Sequence, residues 1–130
     1  MFQSLVLRDD AIPDLLIVVR LGENTLLDTH LRRSAEECHE RWGIWGFSVL
    51  EVPGGDFDAL ARLRPIVANR RRLFTARGAD LVDAGFPLLA TLDHPHWTVG
   101  LAAATAEHFA AVRQVFQGPI PNPAWHGPDA

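Results

Sequence analysis

Four apolar segments of the chain have the length and pattern of β-strands. Leu15–Arg20 is a continuous run of leucine and β-branched residues, which is typical of a central strand buried on both faces. Phe47–Val52, Phe86–Leu92 and His96–Leu101 are short, largely apolar segments that each follow a glycine or a proline. Only Asp93-His94-Pro95 separates the last two, which is the length of a hairpin connection. We predict that strands near residues 14–20, 46–52, 86–92 and 96–102 share one sheet.

Residues 26–42 show the periodicity of an amphipathic helix packed on that sheet. The apolar positions of this helix recur at helical spacing. They are Leu27, Leu31, Ala35 and Cys38. Thr25 followed by Asp28 resembles a capping box and marks the start of the helix. Shorter helices are predicted at residues 57–64, 79–84 and 106–116. Residues 66–76 suit either a helix or a strand, and we assign Arg71–Thr75 to a strand.

The order of these elements defines the fold class. Because helices and strands interleave and one strand pair has a hairpin connection, we predict an α/β (α+β) sandwich. A mixed or antiparallel sheet of four to six strands would carry helices packed on it. The length of 130 residues suits one domain. We place a single globular domain at residues 1–118 and a proline-rich C-terminal tail at 119–130, since prolines at 119, 121 and 123 disfavour regular structure.

Composition excludes several classes of protein. The net charge is −4, and all 12 basic residues are arginine, so broad binding to a phosphate backbone is disfavoured. The single cysteine, Cys38, excludes a disulfide framework and a zinc site built mainly from thiolates. Apolar runs are too short to cross a bilayer, and Met1–Ser4 lacks the features of a signal peptide. We therefore expect a cytoplasmic protein without a membrane partner.

The stretch Asp93–Leu101 carries the strongest pattern for chemistry. Side chains alternate between the faces of a strand, so His96 and Thr98 share a face about 6.5–7 Å apart. Arg20 and Ser48 also fall on predicted strands or at their ends. If the strands are neighbours, Arg20 would bind phosphate and His96 would act as general acid or base. The hydroxyls of Ser48 and Thr98 would then position the substrate.

These four residues suit metal-independent phosphoryl or nucleotide chemistry. Small ribonucleases of toxin–antitoxin systems combine an arginine, a histidine and a hydroxyl in this way, which is an analogy of chemistry and not of fold. We predict a small metal-independent enzyme that acts on RNA or on a nucleotide. It would be the toxin of a toxin–antitoxin pair with a protein partner encoded nearby. No cofactor is expected, and a homo-oligomer is compatible with the sequence.

Four segments of the chain together follow a shared pattern. They are Val18-Val19-Arg20, Gly43-Ile44-Trp45-Gly46-Phe47-Ser48-Val49, His96-Trp97-Thr98-Val99 and Asn122-Pro123. In these segments the chain resembles a family of small uncharacterised bacterial proteins with Val-Val-Arg-Gly-Gly, Gly-x-x-Gly-x-Ser-Val and His-aromatic-Thr-Val motifs. It departs from the family at Leu21, where the pattern has a glycine. The resemblance implies no particular activity and marks the residues to examine.

A structural interpretation of the candidate residues stays open. Polar residues at strand ends are commonplace, and threonine favours strands in any case. The competing class of protein is a non-enzymatic interaction module, such as an antitoxin, an immunity protein or an accessory subunit. An acidic surface and the tryptophans at 42, 45 and 125 would then form an interface. Convergence of Arg20, Ser48 and His96 in one cleft would favour the enzyme.

Two further clusters have alternative interpretations. Arg70, Arg71 and Arg72 are candidates to bind nucleic acid or phosphate, although they also suit a solvated charge cluster. His94 and His96 could ligate a transition metal, but no third ligand is identifiable and Pro95 favours a turn between them. We therefore predict no metal at this position.

The absence of a metal is testable on the purified protein. Protein prepared without a histidine tag should carry no stoichiometric zinc, nickel or manganese, because His94 and His96 lack a third ligand in sequence. Elemental analysis measures this directly. A stoichiometric metal in the wild type that is lost in His96→Ala would contradict the prediction.

Overall fold

The strands form one antiparallel sheet. The computed structural model describes residues 4–5 and 7–126. Its strands are β1 Ile17–Leu21, β2 Trp45–Glu51, β3 Arg72–Arg77, β4 Leu88–Leu89, β5 His96–Leu101 and β6 Gln117–Pro121. Their order across the sheet is β4-β5-β2-β1-β3-β6, and every neighbouring pair is antiparallel. The predicted α/β sandwich with one sheet is thereby confirmed.

Within the described part of the chain, four α-helices connect or cover the strands. They are α1 Asp28–Trp42, α2 Phe57–Leu63, α3 Gly78–Asp83 and α4 Ala106–Arg113, with short 3-10 turns at Pro53–Gly55 and Pro65–Asn69. Asp56 caps α2, because its carboxylate accepts from the backbone N–H groups of Asp58 and Ala59. Thr105 caps α4 through the N–H of His108. Both helices begin at the residues that the sequence predicted, whereas α4 ends at Arg113, before the predicted residue 116.

The start of α1 differs from the prediction. Leu31, Ala35 and Cys38 are buried as expected, whereas Leu27 is 51% exposed because it precedes the first helical turn in an extended conformation. Leu26 is buried in its place. The capping box is also wrong, since no side chain caps α1. The hydroxyl of Thr25 accepts a hydrogen bond from Arg20 instead.

The prediction that the prolines near residue 120 prevent regular structure is wrong, because this segment forms the last strand, β6. β6 pairs with β3 at the edge of the sheet, with an irregularity in register between Leu73 and Thr75. An edge strand tolerates proline because one of its sides needs no hydrogen-bond donor. Gly118 lies at the irregularity with φ +134°, and a Cβ there would come within 2.9 Å of the Leu73 carbonyl oxygen.

Two apolar clusters cover opposite faces of the central strand. Val18 belongs to the larger cluster and Val19 to the smaller, and consecutive residues of a strand point to opposite faces. The larger cluster joins α1, α3 and α4 to the sheet and includes Leu31, Phe47, Leu81, Trp97 and Phe109. The smaller cluster contains Val19, Val52, Leu60, Val67, Leu73 and Ala124. Helix α2 and residues near the described C-terminal end therefore cover the second face.

The central strands β1 and β2 pair over only part of their length. β1 is paired with β3 along all five residues from Ile17 to Leu21. Its pairing with β2 consists of Val18 with Glu51 and Val19 with Leu50. Beyond Val19 the two strands are no longer paired, and this separation defines the candidate site.

Among residues 4–5 and 7–126, no helix has the length and apolar character needed to span a membrane.

The second apolar cluster predicts a contrast within α2. Leu60 is fully buried in that cluster, whereas Leu63 is 44% exposed on the same helix. Leu60→Ala should lower the free energy of unfolding by about 2–5 kcal/mol, because it leaves a cavity. Leu63→Ala, the matched control, should change it by less than about 1 kcal/mol. Urea unfolding measures both values. Equal losses would mean that α2 is not packed through Leu60.

Candidate functional site

Arg20 fills the separation between β1 and β2. Its Nε donates to Thr25 Oγ1 at 2.7 Å, its Nη1 to the Ser48 carbonyl at 2.8 Å and its Nη2 to Ser34 Oγ at 2.8 Å. The guanidinium also lies 5.4 Å from the ring centroid of Phe47. Arg20 therefore links the end of β1 to α1 and β2, and supplies the donor that a paired strand would have given to Ser48.

Burial of Arg20 affects its charge only slightly. Desolvation lowers the pKa of Arg20 to about 10, while the nearby carboxylate of Glu37 acts in the opposite direction. A group with this pKa is protonated at neutral pH. Nε, Nη1 and Nη2 each donate to a protein oxygen, so Arg20 places a fixed positive charge beside Ser48. For the same reason Arg20 is not free to bind a phosphate through a bidentate pair of hydrogen bonds.

His96 and Ser48 are in direct contact. In the register of β2 and β5, Ser48 is opposite Thr98, and Leu50 is opposite His96. Ser48 and His96 are thus diagonal neighbours on one face of the sheet. Nε2 of His96 lies 3.0 Å from Oγ of Ser48, which is itself exposed. This distance is within reach of a hydroxyl and the base that activates it.

Two buried threonines orient the imidazole ring of His96. Its Nδ1 lies 2.7 Å from Thr91 Oγ1 and 3.2 Å from the Thr91 carbonyl oxygen. Thr91 Oγ1 in turn lies 2.7 Å from Thr98 Oγ1, and both residues are at most 1% exposed. Because a carbonyl oxygen only accepts, we assign the proton to Nδ1, which leaves Nε2 to accept from Ser48.

The surroundings of His96 favour its neutral form. Burial lowers the pKa of His96. Its hydrogen bond to the Thr91 carbonyl works against that shift, and the positive charges of Arg8, Arg64 and Arg41 add to it. The imidazole is therefore uncharged at neutral pH, with its Nε2 lone pair available as a base.

Arg8 holds the turn that leads into His96. Its Nη1 donates to the carbonyl oxygens of Thr91 at 2.7 Å, Leu92 at 3.2 Å and His96 at 2.6 Å. Leu92 has φ +54°, a conformation that L-residues rarely adopt. Nη2 of Arg8 is buried and has no hydrogen-bond partner among the described residues, and the guanidinium lies 5.4 Å from the ring centroid of Trp97. The sequence did not indicate a role for Arg8 or Thr91, because neither belongs to a recognisable motif.

Two cavities meet at the Ser48–His96 pair, since both residues line each of them. One cavity of about 130 Å³ lies against α1 and reaches the side of Cys38 and Arg41. The other, of about 400 Å³, opens beside Arg20 where β1 and β2 separate. The second is within the size range of sites for small organic ligands. The structure thus places a titratable base and an exposed hydroxyl at the wall of a ligand-sized space.

The predicted site residues fall into two groups. Arg20, Ser48, His96 and Thr98 converge, although Thr98 is buried and is hydrogen-bonded to Thr91, which in turn bonds to His96. Arg70, Arg71 and Arg72 are exposed and line a separate cavity of about 510 Å³. The roles of all these residues in chemistry or binding stay predictions.

Other potential reactive groups lie outside this arrangement. His94 is near Glu51, with 3.6 Å between Nε2 and Oε1. Residues 4–5 and 7–126 contain no group of three histidine, cysteine, aspartate or glutamate side chains placed to hold a metal. Burial raises the pKa of the Cys38 thiol, with Arg41 acting in the opposite direction, so this cysteine is a poor nucleophile.

Comparison of the chain with protein-family models, curated proteins and solved structures finds no match. The geometry of the site therefore carries the functional argument.

The lowered pKa of His96 predicts a loss of stability in mild acid. In the unfolded chain a histidine takes up a proton near pH 6.5, whereas folded His96 does so only at lower pH. The stabilisation is fully present above about pH 6.5 and is lost as the pH falls toward the folded pKa. Urea unfolding at about pH 7.5 and about pH 5 should show a larger loss for the wild type than for His96→Gln.

A direct titration checks the same shift. The imidazole resonances of His96, followed by NMR, should have a midpoint below 6.5. A midpoint at or above that value would contradict both the burial argument and the assignment of His96 as a neutral base.

Proposed function

We propose that this protein is a metal-independent enzyme that acts on RNA or on a nucleotide, with His96 as its general base. The observation that carries this proposal is the 3.0 Å contact between His96 Nε2 and the exposed Ser48 hydroxyl at the wall of a cavity. The imidazole is held by Thr91, and its pKa is lowered by burial. A base that is neutral and oriented before substrate binds needs little rearrangement to accept a proton.

The proton transfer follows from this geometry. Nε2 of His96 removes a proton from a hydroxyl that attacks phosphorus, while Nδ1–H stays bound to Thr91. The hydrogen bond to Thr91 stabilises the imidazolium formed in this step. As the bond from phosphorus to the leaving oxygen breaks, that oxygen takes a proton from the imidazolium, either directly or through a bridging water molecule. His96 thereby returns to its neutral form.

An anionic substrate is favoured by the positive charges near the site and not by the net charge of the chain. Arg20 holds a half-buried positive charge beside Ser48, although the chain as a whole has a net charge of −4. A fixed cation in a partly desolvated site stabilises charge that develops on a phosphate more than an exposed cation does. The exposed arginines at 70, 71 and 72 extend this positive potential beyond the cavity.

Ser48 has two chemically distinct roles in such a mechanism. As the nucleophile it would form a covalent bond to phosphorus, because its Oγ is exposed and bound to the base. As a positioning group it would hold Nε2 until a substrate hydroxyl takes its place. Mass spectrometry separates these roles, since only the first adds the mass of a substrate fragment to Ser48.

The biological setting that suits this chemistry is the toxin of a toxin–antitoxin pair. An RNA- or nucleotide-directed enzyme of this size would need a partner that restrains it, and that partner would be encoded nearby. Masking of the cavity at Ser48 and His96 would be sufficient for inhibition.

The enzyme proposal predicts an effect of His96→Ala on turnover. Purified wild-type protein should degrade RNA or convert a nucleotide, and His96→Ala should be slower by about 10²–10⁴-fold, because it removes the general base. His108→Ala is the matched control, since His108 lies at the start of α4 and bonds to Thr105. This control should retain wild-type activity. Induced expression should arrest growth with the wild type and not with His96→Ala.

Two outcomes would contradict the proposal. If the wild type is harmless and leaves RNA and nucleotide pools intact, the enzyme proposal fails. If folded His96→Ala is as active as the wild type, the wrong base has been assigned.

A second candidate is a non-enzymatic interaction module. It draws support from Leu63 and Ile66, which are 44% and 51% exposed on either side of Pro65. The tryptophans expected at such an interface give it less support. Trp45 stacks on His39, with 4.0 Å between the ring centroids. Trp42 and Trp125 lie under Arg41 and Arg71.

A further inference from the structure

A third cavity lies beyond the end of β1, apart from the two that meet at the Ser48–His96 pair. Its volume is about 510 Å³, and its walls include Arg70, Arg71, Arg72 and Trp125. The guanidinium of Arg71 lies 5.7 Å from the ring centroid of Trp125, which is half-buried. Positive charge and an aromatic surface therefore border the same space. This combination suits a ligand with both a phosphate and a planar ring.

Buried Asn122 supports the walls of this cavity. Its Nδ2 donates to the carbonyl oxygens of Val67 at 2.8 Å and Arg70 at 2.7 Å. Its Oδ1 accepts from the N–H of Ala124 at 2.9 Å, and its own N–H donates to the Arg71 carbonyl. Asn122 thus ties the arginine segment to the turn that carries Trp125. The two walls are connected by hydrogen bonds, so their relative placement does not depend on a ligand.

The cavity adjoins the candidate active site. Leu21 and Thr25 line both this cavity and the one that contains Ser48 and His96. Thr25 Oγ1 accepts from Arg20, which in turn binds the Ser48 carbonyl. A ligand that extends from one cavity to the other would pass along the turn after β1.

We propose that the cavity between Arg70–Arg72 and Trp125 is a nucleotide subsite for single-stranded RNA. The arginines bind a backbone phosphate, and the exposed part of the Trp125 ring stacks on the adjoining base. Glu23 and His30 also line the cavity and provide polar groups for the edge of that base. This assignment rests on the proposed function, because it names a second contact for the substrate of the Ser48–His96 site.

Binding of a 2′-O-methyl RNA tests the subsite apart from catalysis when electrophoresis shows that the probe is intact after the measurement. The probe is a fluorescent 2′-O-methyl oligonucleotide of about five nucleotides, and anisotropy reports its dissociation constant. Trp125→Ala and Arg71→Ala should each weaken binding by about tenfold or more, because stacking and a phosphate contact are lost. The matched control is Arg77→Ala, which removes an exposed arginine from the opposite end of β3. It should change the dissociation constant by less than about twofold.

Additional variants and competitors distinguish the loss of stacking from the loss of charge and from misfolding. Trp125→Phe should retain most of the affinity, since it keeps an aromatic face. Thermal unfolding of each variant shows that the chain is folded when binding is measured. UMP and inorganic phosphate, used as competitors, distinguish a mononucleotide site from a site for a longer strand. Displacement by UMP alone at low concentration, with no gain from longer RNA, would overturn the assignment to single-stranded RNA.

The results for this subsite and for the enzyme proposal are separable. Equal weakening by Arg71→Ala and Arg77→Ala, or unchanged binding in Trp125→Ala, would overturn the subsite even if His96 proves catalytic. Failure of the wild type to bind the probe would overturn it as well. Trp125-dependent binding by a protein without turnover would uphold the subsite and refute the enzyme. If both proposals hold, the variants should raise KM for RNA and leave kcat close to wild type.

Discussion

The separation of β1 from β2, with Arg20 inside it, is the constraint on which the site depends. Two strands at the centre of a sheet would normally pair along their whole length, which would close the space beside Ser48. Here a guanidinium bonds to the side-chain oxygens of Thr25 and Ser34 and to the backbone carbonyl of Ser48. The Ser48 carbonyl therefore keeps a hydrogen-bond donor while a ligand-sized opening remains at the centre of the sheet.

Burial and charge act together on His96. Its ring lies on β5 beside β2, where desolvation and three arginines oppose protonation. The same arginines do not make the protein basic, because acidic residues outnumber basic ones by 16 to 12. Local placement of charge thus decides the chemistry of the site, and the overall balance limits unspecific attraction to nucleic acid.

Sequence patterns predicted the elements better than the contacts between them. The run Leu15–Arg20 predicted a central strand, because a run of β-branched residues needs burial on both faces. The strand β1 begins only at Ile17, and Leu15 is exposed. The contact of Ser48 with His96 depends on the register of strands about 50 residues apart in sequence, which no local pattern encodes. Thr91 was missed for the same reason. Leu27 was misplaced because helical spacing does not reveal where the first turn begins.

The placement of Arg8 and Trp125 bears on how the protein can be labelled. Near one end of the described chain, Arg8 donates hydrogen bonds to the turn before His96. Near the other end, Trp125 lines the cavity that contains Arg70, Arg71 and Arg72. A fluorophore or affinity tag fused to either end would be fewer than ten residues away in sequence from one of these features. Arg62 on α2, with 71% of its side chain exposed, is a better attachment point. Since Cys38 is buried, a thiol-reactive dye would select the new thiol of Arg62→Cys.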